Sequence, residues 1–320
     1  MFQYITFIVG FFLLIKGADY LVKAAKALAK SLNVSPLLIG ITVVAAGTTL
    51  PELSVNLIAS IEGTTDVALG NVVGSLIANI LLILGLVAII FPIKVNWSKT
   101  KKEVLFGILA VVVLLISAID GFVNHSKFAV LERTEGIIYL CFFIVFIWYI
   151  FLLVKQQKKY LGKHSVSEDQ HYLITILMII AGVAGLYIGG RWIVDGAVLI
   201  ARNIGLSEFL ISSTIVAVGT SLPELATAVT AALKKSTDIA IGNIIGANIF
   251  NVFWIMGISS IIRPISISQG ILLDIVFALF ATLLFIFFIN NTKQKELSRL
   301  EGSVFILLYI IYVIFNIYRG

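Results

Sequence analysis

The chain has 320 residues, 60% hydrophobic and 12% charged, with a net charge of +6 and a mean hydropathy of +1.08. This balance excludes a water-soluble core and marks an integral membrane protein. The lone cysteine, Cys141, allows no intrachain disulfide, and the positive charge is accounted for by loops between apolar runs, with no nucleic-acid surface.

A helix needs about 20 apolar residues to cross the hydrocarbon. Hydropathy and turn signals place ten spans, at 3–25, 36–60, 66–91, 104–119, 136–154, 172–200, 207–233, 239–262, 270–290 and 302–318. The runs are continuously apolar and lack the alternation of barrel strands, so an all-α bundle is expected. The first runs on without a cleavage-like site and is expected to stay as a span. Lys26, Lys30, Lys94, Lys99, Lys101, Lys102, Lys155, Lys158, Lys159, Lys163, Lys234, Lys235, Lys293, Lys295 and Arg299 fall on one set of loops; Lys127, Arg133, Arg202, Arg263 and Arg319 fall on the other. Fifteen against five puts the first set in the cytoplasm and both termini outside, in the cell membrane.

The first span carries Lys16, Asp19 and Lys23, and the sixth carries Arg191 and Asp195. Spacing of four favours pairs within each helix, Asp19 with Lys23 and Arg191 with Asp195. The alternative is a pairing across the two helices that makes and breaks as they move.

The second span contains Gly47-Thr48-Thr49-Leu50-Pro51-Glu52, and the seventh contains Gly219-Thr220-Ser221-Leu222-Pro223-Glu224, displaced by 172 positions (219 − 47). Gly17 to Pro92 overlays Gly189 to Pro264 at this offset without a gap, matching Ser35 with Ser207, Thr42 with Thr214, Asn71 with Asn243 and Asn79 with Asn251. Each unit has five spans, an odd number, so the second is expected upside down, the pattern of secondary transporters. The expected organisation is residues 1–154 as the first five-helix repeat, 155–171 as a short cytoplasmic linker and 172–320 as the second, inverted repeat.

Each proline lacks an N–H and clashes with the carbonyl four residues back, so both helices are expected to break and release carbonyls near Ala45 to Gly47 and Ala217 to Gly219. Thr48, Thr49 and Glu52 share a face, as do Thr220, Ser221 and Glu224. On the third and eighth spans, Gly70 with Gly74 and Gly242 with Gly246 form small-residue seams for close backbone approach. Ser75 and Asn79 share a face there, and Asn251 repeats Asn79. The spans at 104–119, 136–154, 270–290 and 302–318 are expected to be scaffold, with Asp274 interfacial.

A carboxylate near the centre of a bilayer costs roughly 2.5–3.5 kcal/mol on insertion scales, so Glu52 and Glu224 call for a compensating role. The pooled donors are all hard oxygens, suited to Ca2+, whereas zinc, copper or iron would call for imidazole or thiolate. His125, His164 and His171 lie in loops or at span ends. Two nearby carboxylates in low dielectric repel each other unless a cation joins them, which points to obligatory exchange.

The paired Gly-Thr-(Thr/Ser)-Leu-Pro-Glu and Gly-Asn-x-x-Gly-(Ser/Ala)-x-x-x-Asn motifs resemble the alpha repeats of the calcium/cation antiporter superfamily, most closely those of prokaryotic sodium/calcium exchangers. The resemblance implies that Glu52 and Glu224 with Thr48 and Thr220 form a Ca2+ site. It implies one Na+ site lined by Ala45, Thr48, Thr49, Ser75 and Glu52, another by Ala217, Thr220, Ser221 and Glu224, and Asn79 and Asn251 at the centre. It also implies that the first and sixth helices slide past a core formed by the others. Ala247 departs from the motif's usual serine, and Asn251 stands where some relatives have aspartate. The resulting expectation is a Na+/Ca2+ antiporter, not an enzyme, with Ca2+ and Na+ as cargo and no cofactor. Ca2+/H+ exchange is the alternative; a channel and an intramembrane protease are the competing classes.

Overall fold

The computed structural model describes residues 2–95, 97–123, 129–160, 172–205, 217–291 and 296–319. The three histidines, residues 161–171 of the expected 155–171 linker, and the repeat landmarks Ser207 and Thr214 lie outside the described residues, while residues 155–160 of that linker continue the helix from Arg133. The chain is almost wholly helical: α1 (Phe2–Leu32), α2 (Pro36–Thr48), α3 (Leu50–Glu62), α4 (Thr65–Ile90), α5 (Trp97–Val123), α6 (Arg133–Tyr160), α7 (Tyr172–Asn203), α8 (Leu222–Leu233), α9 (Thr237–Ile262), α10 (Gln269–Asn291) and α11 (Arg299–Arg319). Among the described residues eight of these are long and apolar enough to cross a membrane, and α2 with α3 makes a ninth, bent span. The stretch expected to complete a tenth, 206–216 ahead of α8, lies outside the described residues. The expected fourth span, 104–119, lies within a longer helix: α5 runs for 27 residues, because Trp97 to Glu103 and Asp120 to Val123 extend it at both ends.

The apolar stretches of α4 and α9 are 72% and 83% buried, and none of the other six long helices exceeds 39%, so these two helices form the centre. Apolar residues of the outer helices face outward, among them Ile144 and Trp148 of α6 and Ile311 of α11, as lipid contact requires. Cys141 on α6 is exposed in the same way.

Glycine sets two close helix contacts. On α1 and α7 a Cβ on Gly17 would lie 2.7 Å from the Gly182 carbonyl oxygen, and one on Gly189 would lie 2.6 Å from the Leu14 nitrogen. The two backbones therefore touch, and α1 and α7 form a single packed pair. On α9, a Cβ on Gly242 would meet the Leu37 carbonyl at 2.6 Å and one on Gly246 the Ile41 carbonyl at 2.5 Å, so that seam receives α2. Its expected counterpart differs. Among the described residues nothing lies within 4 Å of a Cβ on Gly74, and only Ile271 Cδ1, at 4.0 Å, reaches one on Gly70. The segment that the repeat relation sets against them, 209–213, lies outside the described residues.

Two features have no precedent in the sequence reading. Short antiparallel ladders join loops of opposite halves: β1 (Ile93–Lys94) with β4 (Glu296–Leu297), and β2 (Ala129–Leu131) with β3 (Ile265–Ile267). And α2, α4 and α9 each contain a π-helical segment, at Gly40–Val44, Ala78–Ile83 and Phe250–Met256. Such segments widen the helix locally and recur at functional sites.

The intrahelical pairs are present, Lys23 Nζ to Asp19 Oδ2 at 2.8 Å and Arg191 Nε to Asp195 Oδ2 at 3.9 Å. Asp19 also pairs with Lys234, just beyond α8, which the sequence reading did not anticipate. Asp274, only 7% exposed, is bound by Arg319 Nη2 at 2.7 Å, tying α10 to α11.

Candidate functional site

Pro51 and Pro223 each fall in the first turn of a helix, where a missing N–H costs nothing. They start new helices, and the break before Pro51 bends α2 against α3 by 45°. Glu52 and Glu224 thus stand in the first turns of α3 and α8, where the positive end of the helix offsets part of the cost of a buried acid. Both are 1% exposed.

No donor stands at hydrogen-bonding distance and angle to either carboxyl, and neither has a basic partner among the described residues. They lie within electrostatic reach of each other, one from each half of the chain, and Thr48 Oγ1 faces Glu224. Four buried oxygens with no donor form a centre that lacks positive charge.

The flanking groups follow the repeat. Thr48 Oγ1 donates to Asn243 Oδ1 at 3.0 Å, and Thr220 Oγ1 donates to Asn71 Oδ1 at 3.0 Å, each crossing between halves. Asn71 and Asn243 were counted as repeat landmarks, not as site residues; their retention in both halves beside a glycine was the available signal. Ser75 and Ser221 meet hydroxyl to hydroxyl at 3.4 Å.

Elsewhere the symmetry fails. Thr49 turns its hydroxyl to its own helix, donating to the Ala45 carbonyl at 2.9 Å, and that carbonyl also accepts the Thr49 N–H at 3.0 Å. The expected release of the Ala45 carbonyl is therefore corrected for this conformation, since Thr49 occupies both of its lone pairs. In the second half Ser221 N–H bonds to the Val218 carbonyl at 3.1 Å, leaving Ala217 at the start of that short turn. Asn79 Nδ2 donates to Asn248 Oδ1 at 2.8 Å, and its own Oδ1 is buried without a partner. Asn251 has no partner on either amide atom.

Three polar residues near the site were missed. Asn248 corresponds to Leu76, Asn56 to Ala228 and Thr227 to Val55, so comparison of the halves removed each of them from view. Asn56 Nδ2 donates to the Glu52 carbonyl at 2.9 Å, and its Oδ1 and the Thr227 hydroxyl are buried and unpartnered. A crevice of about 220 Å³, lined by Pro51, Ser54, Ile58, Arg191, Asp195, Thr220 and Pro223 among others, leads from the surface toward the second motif.

A family model described as "Sodium/calcium exchanger protein" matches residues 2–152 and 174–318. The sodium/calcium exchanger MaX1 of Methanosarcina acetivorans is 30% identical, over 99% of both chains. The inner membrane protein YrbG of Escherichia coli is 37% identical, over 85% of this chain and 86% of its own. A solved structure of the sodium-calcium exchanger NCX_Mj superposes with a TM-score of 0.83 at 31% identity, over 98% of each chain.

Proposed function

The chain belongs to the sodium/calcium exchanger family of membrane antiporters, and from that premise we propose that it exchanges Na+ for Ca2+ by alternating access, extruding Ca2+ across the cell membrane under an inward Na+ gradient. The observation that carries this reading is the pair of buried carboxyls, Glu52 and Glu224, which have no hydrogen-bond donor and no basic neighbour among the described residues. Ca2+ sits between them, with Thr48 and Thr220 as further oxygens, because a divalent ion balances two carboxylates and tolerates irregular coordination. Na+ takes the flanks: Thr49 and the Ala45 carbonyl on one side, Ser75, Ser221 and the Ala217 carbonyl on the other, since Ser75 meets Ser221 and not Thr49 as the resemblance implied, with Asn79 and Asn251 between. On the first flank the Ala45 carbonyl must exchange a hydrogen bond from Thr49 for the ion.

The two units, 1–154 and 172–320, act as inverted halves around this centre, with both termini outside as the lysine bias requires. Ca2+/H+ exchange is the second reading, favoured by the absence of a hydroxyl at Ala247 and by the engagement of Thr49 with its own backbone. Proteoliposomes decide between them. Ca2+ uptake driven by an outward Na+ gradient at clamped pH is expected; uptake driven only by a pH gradient would replace the leading reading by the second.

A further inference from the structure

We propose that the protein carries two latches of reversed charge, Asp19–Lys234 on one face and Arg191–Glu62 on the other, which close alternately as access switches. The inference rests on the exchanger reading only in requiring two access states.

The first latch is closed. Asp19, on α1, is bound by Lys234 through its carboxylate, and Lys234 Nζ also donates to the Asp19 carbonyl at 3.2 Å. Lys26 Nζ adds a bond to the Lys234 carbonyl at 2.9 Å, so the end of α8 is fastened to α1 from both directions. Along this face α1 packs on α8.

The repeat offset of 172 carries each member to the other half: Asp19 to Arg191 (191 − 19) and Lys234 to Glu62 (234 − 62). Both charges invert, so attraction is preserved. A conserved electrostatic relation with both signs exchanged is not what the copying of one repeat onto another would leave behind.

That second pair is open. Arg191 is 70% exposed in its side chain and touches Asp195 only at 3.9 Å. Glu62 is exposed at the end of α3, with no ion pair to a described residue. The crevice separates the helices that carry them: its walls include Arg191 and Asp195 from α7 and Ser54 and Ile58 from α3, and Glu62 is one helical turn beyond Ile58 on the same face. Where α1 closes on α8, α7 stands off from α3.

The glycine seam makes the two events exclusive. Because α1 and α7 touch backbone to backbone at Gly17 and Gly189, they move as one body. A shift that brings Arg191 to Glu62 and shuts the crevice draws Asp19 away from Lys234 and opens the opposite face. Inverted repeats reach their second state by exchanging the conformations of their halves, which is this movement.

The test uses full-length protein in liposomes with Cys141→Ser, and cysteines at Glu62 and Arg191 or at Asp19 and Lys234, joined by a short bifunctional thiol reagent. The crevice is read separately in a Ser54→Cys background by labelling with a membrane-impermeant thiol reagent, with charge reversals in place of the cysteine pairs. The Asp19/Lys234 pair is expected to cross-link at once. The Glu62/Arg191 pair is expected to cross-link only as the protein cycles with Na+ and Ca2+, about two- to fivefold faster when Lys234→Gln removes the opposing partly exposed ion pair. Lys234→Gln is likewise expected to slow Ser54→Cys labelling two- to fivefold. The double reversal Glu62→Arg with Arg191→Glu should exchange faster than either single variant. Ca2+ flux without a Glu62/Arg191 cross-link, or labelling unmoved by Lys234→Gln, overturns the latch and leaves the exchanger reading standing. A cross-link in a protein that moves no Ca2+ sinks the exchanger reading alone.

Discussion

Replacing Glu52 by glutamine keeps the shape of the side chain and removes one charge from a centre that has two. A unit charge about 4 Å from a divalent ion, at an effective dielectric constant near 20, contributes roughly 8 kcal/mol of gross attraction, twice the figure for two unit charges. Several kcal/mol of that offsets the desolvation of the carboxylate itself, which glutamine does not incur. The net loss is about 3–4 kcal/mol, or two to three orders of magnitude in Ca2+ affinity. For Na+ the gross attraction is halved while the desolvation saving is unchanged, so Na+ binding weakens by about tenfold or less. Isotopic Ca2+ uptake into Na+-loaded proteoliposomes, followed over a Ca2+ series, measures the first figure, and Na+ competition measures the second. Glu103→Gln is the control: Glu103 is 2% exposed and accepts from the Tyr149 hydroxyl at 2.9 Å, so it tests whether any buried acid has this effect. A Glu52→Gln protein with Ca2+ dependence within threefold of the parent, or a Glu103→Gln protein with the same loss, refutes the placement of Ca2+ between the two carboxyls.

Asn248→Leu, which installs the residue of the first repeat, leaves Asn79 Nδ2 buried without its acceptor at 2.8 Å. An orphaned amide costs about 1–3 kcal/mol, and the freed side chain can turn its nitrogen toward the cation; Ca2+ dependence should rise about tenfold with folding yield retained, and an unchanged KM would show that Asn248 does not orient Asn79. Gly17→Ala forces a Cβ to within 2.7 Å of the α7 backbone, so α1 and α7 must part, at a cost of about 1–3 kcal/mol. Thermal unfolding in detergent should fall and exchange should slow, while Gly107→Ala, whose Cβ would meet Ile245 Cγ2 at an ordinary 3.8 Å, should do neither; equal effects from the two would remove the seam as the cause.

What the sequence disclosed, and what it hid, divide along the repeat relation. The acids, the hydroxyls and the prolines were legible because each departs from an apolar background and each recurs at the same offset. The bend was legible because proline's chemistry is local. The π-helical segments were not, since an extra residue per turn leaves no mark on hydropathy and depends on the packing of α2 against α9. Nor were the two ladders, whose partners lie in opposite halves of the chain. Lys234 was read as one more cytoplasmic charge, although its partner Asp19 had been noticed on another helix. Pairing across more than 200 residues has no signature in spacing, whereas the Asp19–Lys23 pair, at spacing four, does.

Departures from repeat symmetry reach into the pocket, and the two access states explain why they are tolerated there. If each half adopts in turn the conformation of the other, the elements that bend and pack must be able to do so equally, which holds Pro51 to Pro223, Thr48 to Thr220, Asn71 to Asn243 and the π segment at 78–83 to that at 250–256. A cation near the pseudo-twofold axis is not duplicated by that axis. Its two flanks can differ without cost to the switch, and they do: Ser75 against Ala247, Leu76 against Asn248, Val55 against Thr227, Asn56 against Ala228. On one flank Ser75 and Ser221 present two hydroxyls 3.4 Å apart, while on the other Ala247 offers no oxygen and the Thr49 hydroxyl is spent on Ala45. The carboxyl pair therefore sees a donor-rich side and a donor-poor side. Directionality at the scale of the ion thus resides in side chains, while the reversibility of the switch resides in the backbone that both halves share.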